Sequence, residues 1–455
     1  MNKDKDFLGT EPVGKLMFRL ALPTITAQLI NMLYNIIDRI YIGHIPGNGA
    51  LALTGVGVCM PLIMIISAFA ALVGGGGAPH ASIAMGKNDL NTAEHILGNC
   101  FFLQILISII LTVILLFGNR TFLLAFGASE NTIEYAVNYM NIYAVGTIFV
   151  QLTLGMNMFI TTQGFAKTGM LSVLIGAVMN IVLDPLFIFT LDMGTAGAAL
   201  ATGLSQFISF CILLWMCNHQ ESCISISIRK FRPKLAIYRE IIYGGIPSLG
   251  RQGIASVATI LLNFMCQPYG DAAIAAMSIV SRFMFFINSV IIGFGQGFQP
   301  VCSYCFGAGL YDRVKKACWF CIRVSTIILL VLSVISFPAA RSIITLFRRN
   351  DPTVIEIGTL ALRLQLITLP LQGAVIMGNM MPQSIGYGFR ATLVSTARQG
   401  IFLIPLLTIM TYTIGLLGIQ CAQPLADIAT FLLALFVIRG IFKEFPEDVF
   451  SSAAQ

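Results

Sequence analysis

Long apolar runs fill this chain, and polar residues mark their ends. No Asp, Glu, Lys or Arg occurs between Arg39 and Lys87, Glu94 and Arg120, Glu134 and Lys167, Arg282 and Asp312, or Arg363 and Arg390. About 20 helical residues cross a ~30 Å hydrocarbon layer. Each run therefore holds at least one span, and the longer ones hold two, broken by turn residues such as Pro46-Gly47-Asn48-Gly49. The pattern predicts twelve transmembrane helices, near 16–42, 50–84, 94–118, 132–161, 165–189, 195–217, 237–266, 272–306, 313–340, 353–382, 389–413 and 416–441. Composition agrees: 57% of the 455 residues are apolar and 10% are charged, against about 25% charged in a soluble domain. The expected fold class is an all-α integral membrane protein.

The pattern also repeats. At an offset of about 221 residues, Pro23 meets Pro247, Ala50-Leu51-Ala52 meets Ala273-Ile274-Ala275, and Pro79 with Gly86 meets Pro300 with Gly307. Asp184-Pro185-Leu186 likewise meets Ile404-Pro405-Leu406. Six spans per period is an even number, so both halves enter the membrane in the same sense and form two pseudo-symmetric six-helix bundles, an arrangement typical of transporters. The expected domains are 1–217, a polar basic linker at 218–236, and 237–455. Two such bundles rocking about a linker would give alternating access, with Pro23, Pro185 and Pro247 as candidate bending points.

Polar positions inside the spans are few, and most are ordered. Thr24, Gln28, Asn31, Asn35 and Asp38 step by four, three, four and three along helix 1, which is one helical face. Asn180 and Asp184 lie one turn apart on helix 5, and Thr195, Thr202, Gln206 and Ser209 line one side of helix 6. Tyr135, Tyr139 and Tyr143 stack on helix 4. Helix direction puts Asp38, Tyr139, Asn180, Asp184 and Thr202 at similar depth, in the outer half of the first bundle. The second half has Leu262 and Ile404 at the places of Asp38 and Asp184, so the carboxylate pair belongs to one half. A charge in the membrane costs about 2.5 kcal/mol or more, which makes function the default reading for Asp38 and Asp184. The bland alternatives are an Asp38 paired with a neighbouring donor and an Asp184 that orients the Pro185 bend. Arg251, Arg282, Arg363 and Arg398 lie well inside helices of the second half, either paired structurally, for instance with Asp427 or Glu356, or lining a cavity for an anionic group.

Charge adds topology. Lys3, Lys5 and Lys15, the cluster Arg229, Lys230, Arg232, Lys234 and Arg239, then Arg313, Lys315 and Lys316, and finally Arg439 and Lys443 fall where the positive-inside rule puts cytoplasmic segments. Both termini are thus expected in the cytoplasm, with Arg341, Arg348 and Arg349 breaking the rule. The formal charge of +7 reflects this topology and implies no nucleic-acid partner. The pairs Cys302/Cys305 and Cys318/Cys321 have CxxC spacing, but apolar surroundings without histidine make them small hydrophobes rather than a metal site. Gly74 to Gly77 lacks the Lys-Ser/Thr of a phosphate loop and reads as close helix packing. No clustered catalytic residues point to an enzyme, since His44, His80, His95 and His219 are scattered.

Asn35-Ile-Ile-Asp38 with Ile42-Gly43-His44, Asn180-Ile-Val-Leu-Asp184-Pro185, Gln299-Pro300 with Gly307-Ala308, and Arg398-Gln399 with Ile404-Pro405-Leu406 together resemble the multidrug and toxic compound extrusion (MATE) transporters, more closely the branch allied to the DNA-damage-inducible exporters. The likeness covers nearly the whole chain. It implies a monomeric secondary antiporter in a bacterial inner membrane, exporting organic, mostly cationic or amphiphilic, drug-like compounds in exchange for H+ or Na+ and needing no cofactor. It also implies a cation site at Asp38, Asn180, Asp184 and Thr202, with Tyr139 nearby. Gln28, Asn31, Asn35 and Gln206, with the four arginines, are the candidate cavity-lining residues. A flippase for lipid-linked saccharides or another anionic amphiphile is the alternative, because the four arginines would suit it.

Overall fold

The computed structural model describes residues 7–219, 224, 231, 233–349 and 351–446. Most of the expected basic linker, including Arg229, Lys230 and Arg232, and the chain ends with Lys3 and Lys5 lie outside the described residues. Among the described residues there are twelve helices long and apolar enough to span a membrane, and no strand. We number them α1 (Val13–Gly43), α2 (Gly49–Gly86), α3 (Leu90–Ala125), α4 (Ile133–Thr162), α5 (Ala166–Thr190) and α6 (Gly194–His219). The second six are α7 (Leu235–Cys266), α8 (Asp271–Gly307), α9 (Tyr311–Phe347), α10 (Pro352–Ser384), α11 (Gly388–Ile414) and α12 (Leu416–Glu444). Several run past the ends expected from apolarity. α3 continues through Asn119 and Arg120, for example, because a charge at the rim ends the hydrocarbon stretch without breaking backbone hydrogen bonds.

The chain divides into two compact units, one built on Leu22–Gly245 and the other on Gly9–Ala21 with Ile246 onward. α1 and α7 therefore each contribute to both, and the divisions fall just ahead of Pro23 and Pro247, prolines inside those helices. Within the first unit the segment of α7 up to Gly245 packs on α2 at Gly76, where a Cβ would lie 1.9 Å from the Ile241 carbonyl oxygen. Within the second unit the first turns of α1 pack on α8 at Gly297, the repeat counterpart of Gly76, where a Cβ would lie 2.6 Å from Ala21 Cα. The glycine run of α2 is thus a packing surface, continuous in helical hydrogen bonding.

Unit cores follow the apolar pattern. The first gathers Ile42, Val56, Leu62, Leu115, Met140 and Ile188. The second gathers Met277, Ile291, Leu329, Leu362, Leu366 and Leu407. Leu262, at the repeat position of Asp38, packs against that second core as hydrocarbon. Cys302, Cys305, Cys318 and Cys321 are fully buried. Where the chain must reverse within one residue, between α11 and α12, Gly415 takes φ 67°, which a side chain would strain.

Candidate functional site

Helix crossings in the first unit bring the polar residues together. α4 and α6 meet at two glycines, with a Cβ on Gly146 only 3.3 Å from Gly203 Cα, so Tyr139 and Tyr143 sit close to the side of α6 that carries Thr202. α5 keeps α-helical turns through Asp184 and Pro185, then widens into a π turn at Leu186–Thr190. α6 begins against that turn: a Cβ on Gly197 would lie 2.7 Å from the Phe187 carbonyl. The π turn thus sets the register between Asp184 and Thr202. Such turns recur at functional positions because they leave backbone groups loosely satisfied.

The site itself is a cluster of oxygens short of donors. Asn180 Nδ2 donates weakly to Asp184 Oδ1 at 3.4 Å and to Thr202 Oγ1 at 3.5 Å, while Thr202 Oγ1 donates back to Ala198 O at 3.0 Å. Asp38 and Asp184 are close enough for a side-chain hydrogen bond. Two carboxyls can share such a bond only with a proton between them, and a bound cation is the other way to join them. Asp38 Oδ1, Asn180 Oδ1 and Asp184 Oδ2 are all buried without a hydrogen-bond partner among the described residues. Buried acceptors left in this state cost about 1–3 kcal/mol each, and two neighbouring carboxyls that each keep one make a place for a positive charge. Tyr139 and Tyr143, 4% and 6% exposed, stack at 5.8 Å between ring centroids beside Asp38 and close the site on the α4 side.

Neither bland reading of the carboxylates fits this geometry. Arg39 follows Asp38 in sequence, yet its Nη2 lies 3.2 Å from Met60 Sδ. Asp184 accepts from Asn180 and, among the described residues, from no backbone group freed by Pro185. Tyr34 is a neighbour that the sequence reading missed: it lies near Asp38 and feels the charges of both carboxylates. Its signal was available, since it stands one helical turn before Asp38, but a tyrosine in an apolar helix reads as an interfacial aromatic.

The other candidates divide. Along the helix 1 stripe Thr24 and Asp38 are buried, Gln28 and Asn31 are half-buried, and Asn35 is exposed with its Nδ2 donating to Asn31 O at 2.6 Å. Gln206 keeps a buried Oε1 without a partner. The arginines belong to the second unit. Arg398 Nε donates to Asp427 Oδ1 at 2.8 Å. Arg363 Nε donates to Phe337 O at 3.4 Å, and its guanidinium lies 5.4 Å from the centroid of that residue's ring. Arg251 is half-buried and Arg282 exposed.

The MatE family signature matches residues 23–186 and again residues 247–409. The chain belongs to the MatE family. Both matches begin at the repeat-related prolines, Pro23 and Pro247. This MatE protein is 26% identical over 436 residues to the multidrug export protein MepA of Staphylococcus haemolyticus (strain JCSC1435), covering 96% of this chain and 95% of that one. It is 26% identical over 429 residues to MepA of Staphylococcus aureus (strain MRSA252), covering 94% of each chain. Among solved structures, an outward-facing multidrug resistance MATE transporter of the MOP superfamily superposes with a TM-score of 0.91 at 24% identity, covering 98% of this chain and 99% of that one. A MATE crystal structure in a bent conformation gives a TM-score of 0.91 at 24% identity over 98% of each chain. This MatE protein is accordingly a multi-pass bacterial membrane transporter of the multidrug efflux family and not an enzyme.

Proposed function

We propose that this protein is a secondary antiporter that exports organic amphiphiles in exchange for a monovalent cation, H+ or Na+, taken up by the Asp38–Asp184 site. The single observation that carries the reading is the buried pairing of two carboxyls, Asp38 and Asp184, each of which keeps an oxygen without a hydrogen-bond partner among the described residues. A cation between them satisfies both. Thr202 Oγ1 adds a neutral oxygen to the set, and Tyr139, Tyr143 and Tyr34 exclude water from one side. The repeat position of Asp38 holds Leu262, so coupling belongs to one unit. Gln28, Asn31, Asn35 and Gln206 are the polar surface that cargo and water would share.

Coupling then follows from linkage. A cation that binds one conformation better than the other shifts the equilibrium between them, and cargo that prefers the other conformation is released. Pro23 removes a helical hydrogen bond in α1, the helix that carries Asp38, and gives the shift a place to bend. The positive-inside distribution of basic residues supports cytoplasmic termini. An anionic-lipid flippase draws less support, because Arg398 already faces the Asp427 carboxylate and Arg363 the Phe337 carbonyl and ring.

Reconstituted protein tests the reading. Proteoliposomes carrying an imposed proton or sodium gradient should move a soluble organic dye against its concentration. Dye movement indifferent to both gradients, or translocation of a labelled lipid with none of the dye, would overturn it.

A further inference from the structure

The pairing of Arg398 with Asp427 in the second unit is incomplete in an informative way. Asp427 lies on α12 with its side chain 1% exposed, and Arg398 lies on α11 with its side chain 22% exposed. A buried arginine–carboxylate pair held for stability is usually bidentate, two parallel N–H donors meeting two oxygens. Here one nitrogen meets one oxygen. Arg398 Nε and Gln423 Nε2 both donate to Asp427 Oδ1, each at 2.8 Å, while Oδ2 is buried with no partner among the described residues. The two terminal nitrogens of Arg398 donate to no described residue, and neither is sealed from its surroundings.

Arg398 also sits in a π turn, Ala397–Phe402, an interruption within α11. A partly satisfied polar network inside a membrane protein costs stability, so this arrangement is poorly explained as a brace. A guanidinium edge left to hydrocarbon would cost more still, so the open edge is one that a polar partner would stabilise. Its two terminal nitrogens form a planar fork that matches a carboxylate end-on. Asp427 occupies only the Nε side and can stay in place while the fork is filled.

We propose that Arg398 is an anion-binding residue within the second unit, a fork for the carboxylate of an organic amphiphile, with Asp427 and Gln423 as the residues that position it. Asp427 has a second effect. Its charge opposes an incoming anion and so keeps binding weak enough for release. The site rests on the reading of this protein as a carrier of organic compounds. Its test uses binding in detergent with no ion gradient, so a failure here leaves the cation site untouched and a failure of ion coupling leaves this site untouched.

The experiment compares a fluorescent aryl carboxylate with its matched aryl amine by anisotropy titration of purified protein. Arg398→Gln should weaken the carboxylate about tenfold or more and leave the amine unchanged. Asp427→Asn should tighten the carboxylate several-fold. A structural ion pair predicts no such asymmetry, since both substitutions would then lower the melting temperature and weaken both ligands together. Arg398→Lys keeps the charge that Asp427 faces and loses the fork, so a folded Lys variant with weakened carboxylate binding carries the proposal even if the Gln variant fails to fold. Equal affinity of wild-type protein for the two dyes, or movement of Arg398→Gln and Asp427→Asn in the same direction, overturns it. Displacement of the carboxylate by phosphatidylglycerol added to the micelle would identify lipid phosphate as the occupant and equally overturn the carboxylate proposal.

Discussion

Asp38→Asn removes one of two neighbouring carboxylates and keeps the size of the side chain. Two full charges about 4 Å apart repel by roughly 4 kcal/mol at an effective dielectric constant of 20. That is the cost the wild-type site bears without a bound cation and escapes with one. The substitution lifts this repulsion permanently, because Asn brings no charge and adds an N–H donor facing Asp184, which holds a buried oxygen without a partner. The cation-free variant should therefore melt at a higher temperature than cation-free wild-type protein. Cation binding in turn stabilises wild-type protein by about 2.7 kcal/mol at a concentration one hundred times Kd, and the variant should lose that gain.

Two assays read the two halves of this expectation. Thermal melting in detergent, with and without sodium and across acid and neutral pH, should show a cation-dependent rise for wild-type protein and a flat, elevated value for Asp38→Asn. Dye export from proteoliposomes should respond to an ion gradient only in wild-type protein. An Asp38→Asn protein that exports at the wild-type rate with the same ion dependence, or that keeps the full cation-induced rise in melting temperature, refutes the mechanism.

Other perturbations separate structure from transport. Gly76→Ala puts a methyl group into the Ile241 carbonyl and should cost about 1–3 kcal/mol, read as a lower melting temperature; an unchanged value would show that α7 is free to move aside there. Arg363→Gln gives up the Phe337 carbonyl and ring and should lower folded yield while the protein that does fold transports dye at the wild-type rate. Asp89 caps α3 outside the membrane-spanning segments, accepting from Thr92 N at 3.0 Å and Thr92 Oγ1 at 2.6 Å, and these bonds hold its carboxyl below the ordinary carboxylate range. Because its folded value is depressed, it contributes stability above the unfolded value of about 4 that is lost as pH falls through the lower folded value. The melting temperatures of wild-type and Asp89→Ala proteins should accordingly differ at pH 7 and converge in strong acid.

The helices and the repeat were legible because both follow from one strong constraint, the need to keep charge out of hydrocarbon. Asp38, Asn180 and Asp184 stood out for the same reason, and the α spacing of Thr24, Gln28, Asn31, Asn35 and Asp38 fixed which face they share. Tyr34 stood one turn before Asp38, yet a tyrosine pays little to be in a membrane helix, so nothing in the pattern set it apart from an interfacial aromatic. The π turns at Leu186–Thr190 and Ala397–Phe402 were also hidden. One extra residue in a turn rotates the following face by about a hundred degrees, which in a helix apolar on most sides changes nothing visible in the pattern. Asp427 was named as a partner for Arg398, but the one-sided form of that contact depends on side-chain angles that spacing does not specify.

The sharing of α1 and α7 between units bears on how the chain is made. A ribosome delivers Gly9–Ala21 first, yet these residues pack within the unit whose other members begin at Ile246. Until that part of the chain is inserted, the backbone surface around Ala21 that meets Gly297 has no counterpart. The first unit is likewise short of one wall until Gly245 has been synthesised. A gene cut between α6 and α7 would encode two fragments that each carry a piece of the other. Completion of a first bundle and then a second, the ordinary route for a chain of tandem domains, would leave each unit waiting for a helix segment that the other half of the chain supplies.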